Sequence, residues 1–397
     1  MKGFHLLIRI VIAIILGILL GSFVPEWTIR IFATFNSLFG NFLSFVIPLI
    51  ILGFIAPGIG TLGRGAGKLL GLTAVIAYTS TIIAGVIAFL VAKNLYPAML
   101  KGQSLENFSD PTESLATTYL KLEMAPPIGV MTALLLSFVI GLGIAAIKGN
   151  TLLHLMNEFR DIIQLVIEKV IIPLLPFHIF GIFANMTFAG QVSTILNVFA
   201  KVFIMIIILH LLYLTLQYTV AGSLSKQNPF GMIKKMLPAY FTALGTQSSA
   251  ATIPVTLERT KKLNVRERVA DFTVPLLANI HLSGSTITLV SCALAVMFLQ
   301  GDMASFSKIM PFILMLGVTM IAAPGVPGGA VMAALGLLET MLGFDPTMVS
   351  LMIALYLAQD SIGTACNVTG DGAITSIINS FRKKKDPVEE EIRTTAQ

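Results

Sequence analysis

Asp360, Thr364, Asn367 and Asp371 stand at offsets 0, +4, +7 and +11 within the apolar stretch LMIALYLAQDSIGTACNVTGDGAITSIINSF. At 100° per residue these offsets return to within roughly 40° of one direction, so a helix there lines up all four side chains. Two carboxylates on one stripe of a hydrophobic segment are costly to keep and point to function. No Lys or Arg lies between Lys308 and Arg382, so no neighbour in sequence neutralises them. The expected counter-charge is a ligand: a metal cation, a proton or an amino group.

The elements that must position this stripe are membrane helices. The chain of 397 residues is 55% hydrophobic and 12% charged, against about 25% charged in soluble proteins. Its mean hydropathy is +0.88. This is the composition of an integral membrane protein whose partner is the lipid bilayer. The net charge of +6 sits between the spans and so gives no ground for nucleic-acid binding. Apolar stretches fall near 4–23, 32–60, 69–92, 129–147, 162–188, 195–222, 269–300 and 346–381. The first lacks a small-residue cleavage site and is read as a retained helix. With spans alternating from an internal N-terminus, Lys2, Arg64, Lys68, Lys148, Arg160, the Arg259–Arg268 cluster and Arg382–Lys385 gather inside. By the positive-inside rule both termini are cytoplasmic, in a plasma (inner) membrane. The polar segment Lys101–Pro127 reads as an external loop, and the tail after Phe381 as a solvated end near anionic head groups. Cys292 and Cys366 lie in apolar segments and suggest no disulfide framework.

Two further stretches do not read as ordinary spans. Residues 236–262 carry Thr246-Gln247-Ser248-Ser249 at their centre, and residues 309–342 carry Pro324-Gly325-Val326-Pro327-Gly328-Gly329. Each half is about ten residues, too short for a bilayer of about 30 Å at 1.5 Å per residue. Each is expected to be a re-entrant hairpin whose tip is buried in protein or lines an aqueous cavity. Lys234, Lys235, Arg259, Lys261 and Lys262 place the first on the cytoplasmic side; Asp302, Lys308, Glu339 and Asp345 place the second outside. Each precedes a long span with a polar interruption, His281–Ser285 in one and Asn367–Asp371 in the other. A hairpin plus a broken helix, repeated in opposite orientation, is the pattern of a secondary transporter with a midplane site.

Three motifs, SSAATIPVT (248–256), GVPGGAVM (325–332) and D-x3-T-x2-NVTGD (360–371), occur in order. On these, and over essentially its whole length, the chain resembles the dicarboxylate/amino acid:cation symporter family, which includes glutamate and neutral amino-acid transporters. The resemblance implies an all-α integral membrane fold of eight transmembrane helices plus two oppositely inserted re-entrant hairpins. It implies an elevator-type inverted-repeat transporter that assembles as a homotrimer. The scaffold would be residues 1–68 (spans 1–2) and 93–190 (external loop, spans 4–5). The transport domain would be 69–92 (span 3) and 191–381 (span 6 to span 8), with a cytoplasmic tail at 382–397.

The resemblance also implies a site, residue by residue. Asp360 matches the aspartate that receives the substrate's α-amino group through a charge-assisted hydrogen bond. Asn367 would hold the substrate carboxylate with its side chain and a sodium ion with its carbonyl. Ser248 and Ser249 on the first hairpin tip meet the same carboxylate, helped by free backbone N–H groups. Ser285 and Thr364 supply pocket hydroxyls, though such residues also serve as plain helix-packing groups. Val326 and Gly363 border the pocket. Asp371 matches a sodium-coordinating carboxylate, completed by carbonyls from broken helices.

The departures from the family pattern narrow the substrate. Acidic-substrate members place an arginine three residues after the amino-binding aspartate, where this chain has Gly363. Others supply a basic residue from the first hairpin, where it has Gln247. Without a fixed cation a side-chain carboxylate is desolvated and unpaired. The expected substrate is a small neutral amino acid such as serine, threonine or alanine, with a dicarboxylate or acidic amino acid as the alternative. The family's asparagine-x-aspartate on the seventh span reads His281-Leu282-Ser283 here, although Thr79 and Ser80 match the hydroxyl ligands of that second sodium site. His281 either carries a proton in place of the ion or hydrogen-bonds across helices as a neutral ring. The coupling ion is Na+ in the first reading and H+ in the alternative. An intramembrane aspartyl hydrolase is disfavoured, because Asp360 and Asp371 lie about 16 Å apart on one helix and a dyad shares a proton. The chain is read as no enzyme. His178, Glu168 and Lys169 read as scaffold contacts, and His5, His154 and His210 show no metal-ligand spacing.

Overall fold

The computed structural model describes residues 2–64, 68–101, 116–120, 122, 124–302, 305–321, 323 and 327–382; within these it is helical, with no strand. In chain order the helices are α1 (Lys2–Phe23), α2 (Glu26–Arg64), α3 (Lys68–Met99), α4 (Val130–Ala146) and α5 (Thr151–Val166). They continue with α6 (Ile172–Phe188), α7 (Val192–Ser225), α8 (Pro229–Thr246), α9 (Ser249–Lys261) and α10 (Glu267–Ile280). The last are α11 (Ser283–Leu299), α12 (Phe306–Met320), α13 (Gly329–Leu342), α14 (Pro346–Leu357) and α15 (Asp360–Arg382). Among the described residues, Glu26–Thr61, Leu69–Met99, Thr151–Phe188, Val192–Ser225 and Glu267–Leu299 are long and apolar enough to cross a bilayer. The bent pair α14–α15 passes as one more; Ile8–Phe23 and α4 are shorter apolar helices.

Several helices extend past the apolar stretches that announced them. α5 runs into α6 through a π-turn at Ile167–Ile171. Pro173 follows this turn and offers no N–H to the Lys169 carbonyl, which accounts for the shifted ladder. α2 packs on α4, α5 and α6, and α1 on α6, while α15 packs on α7, α8, α9, α10 and α11. α15 is buried at every position from Gly363 to Asn379. A helix buried all round belongs at the centre of a bundle, so the polar stripe lies in the core. α6 meets α14 through His178, whose Nε2 donates to Ser350 Oγ at 2.9 Å. Ser350 spends its own proton on Pro346 O at 2.6 Å. The Asn36 amide of α2 donates to His178 Nδ1 at 3.1 Å and accepts from Ile182 N at 2.9 Å.

The α8–α9 hairpin is closed at its base by Lys235 Nζ, which donates to Lys262 O at 3.0 Å. Asn228 caps α8 by accepting from Phe230 N and Gly231 N at 2.9 and 3.3 Å. At the tip Gln247 ends α8 in the left-handed region with φ 52°, and Ser248 caps α9 by accepting from Ala251 N at 3.2 Å. α12 and α13 pack together as the second hairpin, and Gly328 at φ 75° leads into α13. Ala322, Pro324, Gly325 and Val326 of that tip lie outside the described residues.

Two expectations need correction. The hairpin arms are not ten residues long but 18, 13, 15 and 14, or about 27, 20, 23 and 21 Å. In the first hairpin the extra turns carry Lys234, Lys235, Arg259 and Lys261, which a search for apolar runs does not count. The second correction concerns the breaks. The chain leaves helical conformation at His281-Leu282, between α10 and α11. The expected interruption at Asn367–Asp371 is absent: α15 runs unbroken through it, and the chain bends by 60° at Ala358-Gln359 instead. Gly370 and Gly372 serve close packing. A Cβ on Gly370 would stand 2.7 Å from Gln217 Oε1, and one on Gly372 2.9 Å from Tyr218 Oη.

Candidate substrate and cation site

Asp360 is the first residue of α15, where the helix dipole favours a carboxylate. Only 5% of it is exposed, and its Oδ2 accepts from Gly328 N at 2.7 Å. The second hairpin tip is thereby fastened over the start of α15. Beside this bond lies a cavity of about 20 Å3, room for about one water. Ser248 and Ser249 of the first tip, Ser285 of α11, and Asp360 and Thr364 of α15 all line it. So do Gln247 and Tyr356. Tyr356 was missed by sequence reasoning because a tyrosine in an apolar run carries no distinguishing signal.

Asn367 and Gly363 lie behind the cavity wall. Asn367 Oδ1 accepts from Gly284 N at 2.7 Å and Ser285 N at 3.2 Å, and its Nδ2 donates to Ser285 Oγ at 2.9 Å. It therefore caps the broken end of α11, supplying an acceptor to N–H groups the helix cannot pair. Gly363 faces the same junction, with its nearest Cβ contact at 3.4 Å from Thr288 Oγ1. A Cβ on Gly284 would stand 2.4 Å from Gly363 O, so the two backbones touch here. Val326, the remaining candidate, lies outside the described residues.

About 16 Å along α15 from Asp360 sits a second polar cluster. Asp371 Oδ1 accepts from His281 Nδ1 at 2.9 Å, with the two side chains 1% and 0% exposed. In a neutral ring with that proton on Nδ1 the other nitrogen is an acceptor; it lies 3.0 Å from Ser80 Oγ. Gln217 Nε2 of α7 donates to Ser80 Oγ at 3.1 Å, and Tyr213 Oη donates to Ser80 O at 2.6 Å. Asp371 thus has a hydrogen-bond partner that comes from a broken helix 90 residues away. Thr79 is not brought to the cluster. It is exposed while Ser80 is buried, since neighbours on a helix point about 100° apart.

The cluster leaves oxygens unsatisfied. Asp371 Oδ2 and Gln217 Oε1 are buried without hydrogen-bond partners. Buried acceptors facing no donor suit a hard cation, which takes oxygen ligands. Among the described residues no three His, Cys, Asp or Glu side chains gather as a metal site, so neutral oxygens would have to complete the shell, as they do for sodium. Gln217 was not singled out from sequence, where it is one of several polar residues, Asn197 and His210 among them, in a mostly apolar span. The two acids stand too far apart on an unbroken helix to share a proton, so hydrolytic dyad chemistry has no geometry here.

The chain is similar to known proteins over nearly its whole length. The sequence profile of the sodium:dicarboxylate symporter family matches residues 6–381. The chain is similar to the serine/threonine transporter SstT of Streptococcus suis, with 28% identity over 342 residues, covering 83% of this chain and 94% of the relative. It is 23% identical to the SstT of Enterococcus faecalis, covering 97% and 94%. It is 28% identical to an excitatory amino acid transporter of Caenorhabditis elegans, covering 67% of this chain and 54% of that protein.

Proposed function

The chain belongs to the sodium:dicarboxylate symporter family, and from that premise we propose that it takes up a small neutral amino acid, serine, threonine or alanine, coupled to sodium by an elevator movement. As a family member it is a multi-pass membrane protein and a cation-coupled symporter of amino acids or dicarboxylates, not an enzyme. The observation that carries the narrower reading is the charge of the cavity: Asp360 is the single charged side chain among its lining residues. One carboxylate matches one ammonium. A substrate's second carboxylate would enter with no cation to meet it, because Gly363 and Gln247 stand where a basic group would be needed. The printed names of the two SstT relatives point the same way.

In this reading Asp360 takes the amino group, and Ser249 at the start of α9 takes the α-carboxylate. Asn367 acts through the end of α11 that it caps. Sodium is held by Asp371 with neighbouring oxygens. A cavity of about 20 Å3 is too small for an amino acid, so entry requires the α12–α13 tip to lift from Asp360. The packing of α1, α2 and α4–α6 on one side, and of α15 with α7–α11 on the other, supports a scaffold and a moving domain. His178–Ser350 then crosses the sliding boundary. Eight spans follow if Ile8–Phe23, α4 and the bent pair cross along with the five long segments. Cytoplasmic termini and a homotrimer complete the proposal.

Counterflow in proteoliposomes with labelled serine, threonine, alanine, aspartate, glutamate and succinate tests it. The first three should exchange and the last three should not. Transport of aspartate or succinate without serine or alanine overturns the substrate. Uptake that survives removal of sodium but stops when a proton gradient is collapsed overturns the ion.

A further inference from the structure

Gln247 combines two local costs at one position of the site. Its φ of 52° lies in the left-handed region, which glycine enters freely and a side-chain-bearing residue only under strain. Its side chain is 4% exposed and lines the cavity with Asp360, Ser249 and Thr364. Its Nε2 has no hydrogen-bond partner. A buried amide N–H without an acceptor is rare in folded proteins because the desolvation cost is not recovered. A glycine would relieve the backbone and leave nothing unsatisfied, yet a glutamine stands there. Strain and an unpaired donor together, at a cavity wall, point to a partner that arrives with the ligand.

We infer that the Gln247 carboxamide reads the side-chain hydroxyl of the substrate and thereby favours serine and threonine over alanine. The inference rests on the cavity being the amino-acid site, as proposed above. Asp360 fixes the amino group from α15, while Gln247 reaches the same space from the first hairpin. A hydroxyl accepts from Nε2 and donates to Oε1, so it satisfies the carboxamide whichever way the amide stands. The methyl of alanine satisfies neither atom. A carboxylate accepts from Nε2 but brings a charge that no cationic side chain of the cavity offsets.

Two variants test this, each read as the ratio of kcat/KM for serine to that for alanine in proteoliposome uptake driven by external sodium. Gln247→Met keeps the length of the side chain and removes its hydrogen bonds. Gln247→Gly removes the side chain and relieves the φ strain, so a loss of discrimination there does not come from a distorted tip. The wild type should prefer serine by about tenfold, the worth of one net hydrogen bond. Both variants should bring the ratio to about one, chiefly through a higher KM for serine. A ratio unchanged in either variant, or an equal fall for both substrates, overturns the role of Gln247 and leaves the amino-acid site standing. A wild type that transports succinate or aspartate but neither serine nor alanine overturns the site and this inference together.

Discussion

Asp360→Asn separates the two jobs that the structure gives this residue. The substitution keeps the size of the side chain and keeps an oxygen for Gly328 N, now 2.7 Å from Asp360 Oδ2. It removes the charge. If Asp360 serves only to fasten the hairpin tip, the loss is the charge assistance of one hydrogen bond, about 1 kcal/mol, and serine binding weakens by less than about tenfold. If it receives the substrate's ammonium, that ammonium is buried without a counter-charge, at a cost of about 3–5 kcal/mol. That corresponds to roughly a hundredfold to several-thousandfold weaker binding. Ligand-induced thermal stabilisation of the purified protein in sodium distinguishes the cases. Serine at about 100 times Kd adds about 2.7 kcal/mol to stability. With Kd raised about a thousandfold, the same serine adds less than about 0.1 kcal/mol, below detection. The unliganded variant should melt no lower than the wild type, because a buried amide costs less to desolvate than a carboxylate. A serine Kd within tenfold of the wild-type value would refute the assignment.

Gly284→Ala should be poorly tolerated, since its Cβ would stand 2.4 Å from Gly363 O and 2.7 Å from Cys366 Cβ. Overpacking costs about 1–3 kcal/mol, with about 1 kcal/mol more for each Asn367 hydrogen bond that is stretched open; Gly363→Ala, with its first contact at 3.4 Å, should melt close to wild type, and equal midpoints for the two variants would contradict the close approach. His281→Ala leaves both oxygens of Asp371 unpaired in the core, a loss of about 3–5 kcal/mol. Sodium should restore more stability to that variant than to the wild type and potassium should not; an equal response to the two ions removes Asp371 as an ion ligand.

Periodicity alone placed Asp360, Thr364, Asn367 and Asp371 on one face because α15 is helical through all of them. It failed at the bend. Ala358-Gln359 carries no Gly or Pro, and Gln359 reaches across the core, its Nε2 lying 3.6 Å from Cys292 Sγ as well as 3.3 Å from Leu355 O one turn back. The NVTGD segment misled for the opposite reason. Gly370 and the following Gly372 make room for Gln217 and Tyr218 on α7, so residues that look like a helix break are packing surface. Ser80 and Thr79 were indistinguishable until the rotation of α3 was known. The pairing of His281 with Asp371 spans 90 residues, a distance over which no local pattern carries information.

That pairing divides the stripe in a way that bears on substrate choice. Asp371 has a protein partner of its own on α10–α11, with one oxygen left over for an ion. Asp360 is instead held by the backbone of a hairpin tip, and under the proposed function that bond has to be exchanged when the tip lifts. A substrate amine repays the exchange, because an ammonium bonded to a buried carboxylate is stronger than a neutral N–H in the same place. A dicarboxylate without an amine offers Asp360 nothing for the Gly328 N–H it gives up, and adds a like charge beside it. The amine is then required for opening as well as for affinity, which disfavours dicarboxylates on grounds independent of the missing arginine at Gly363.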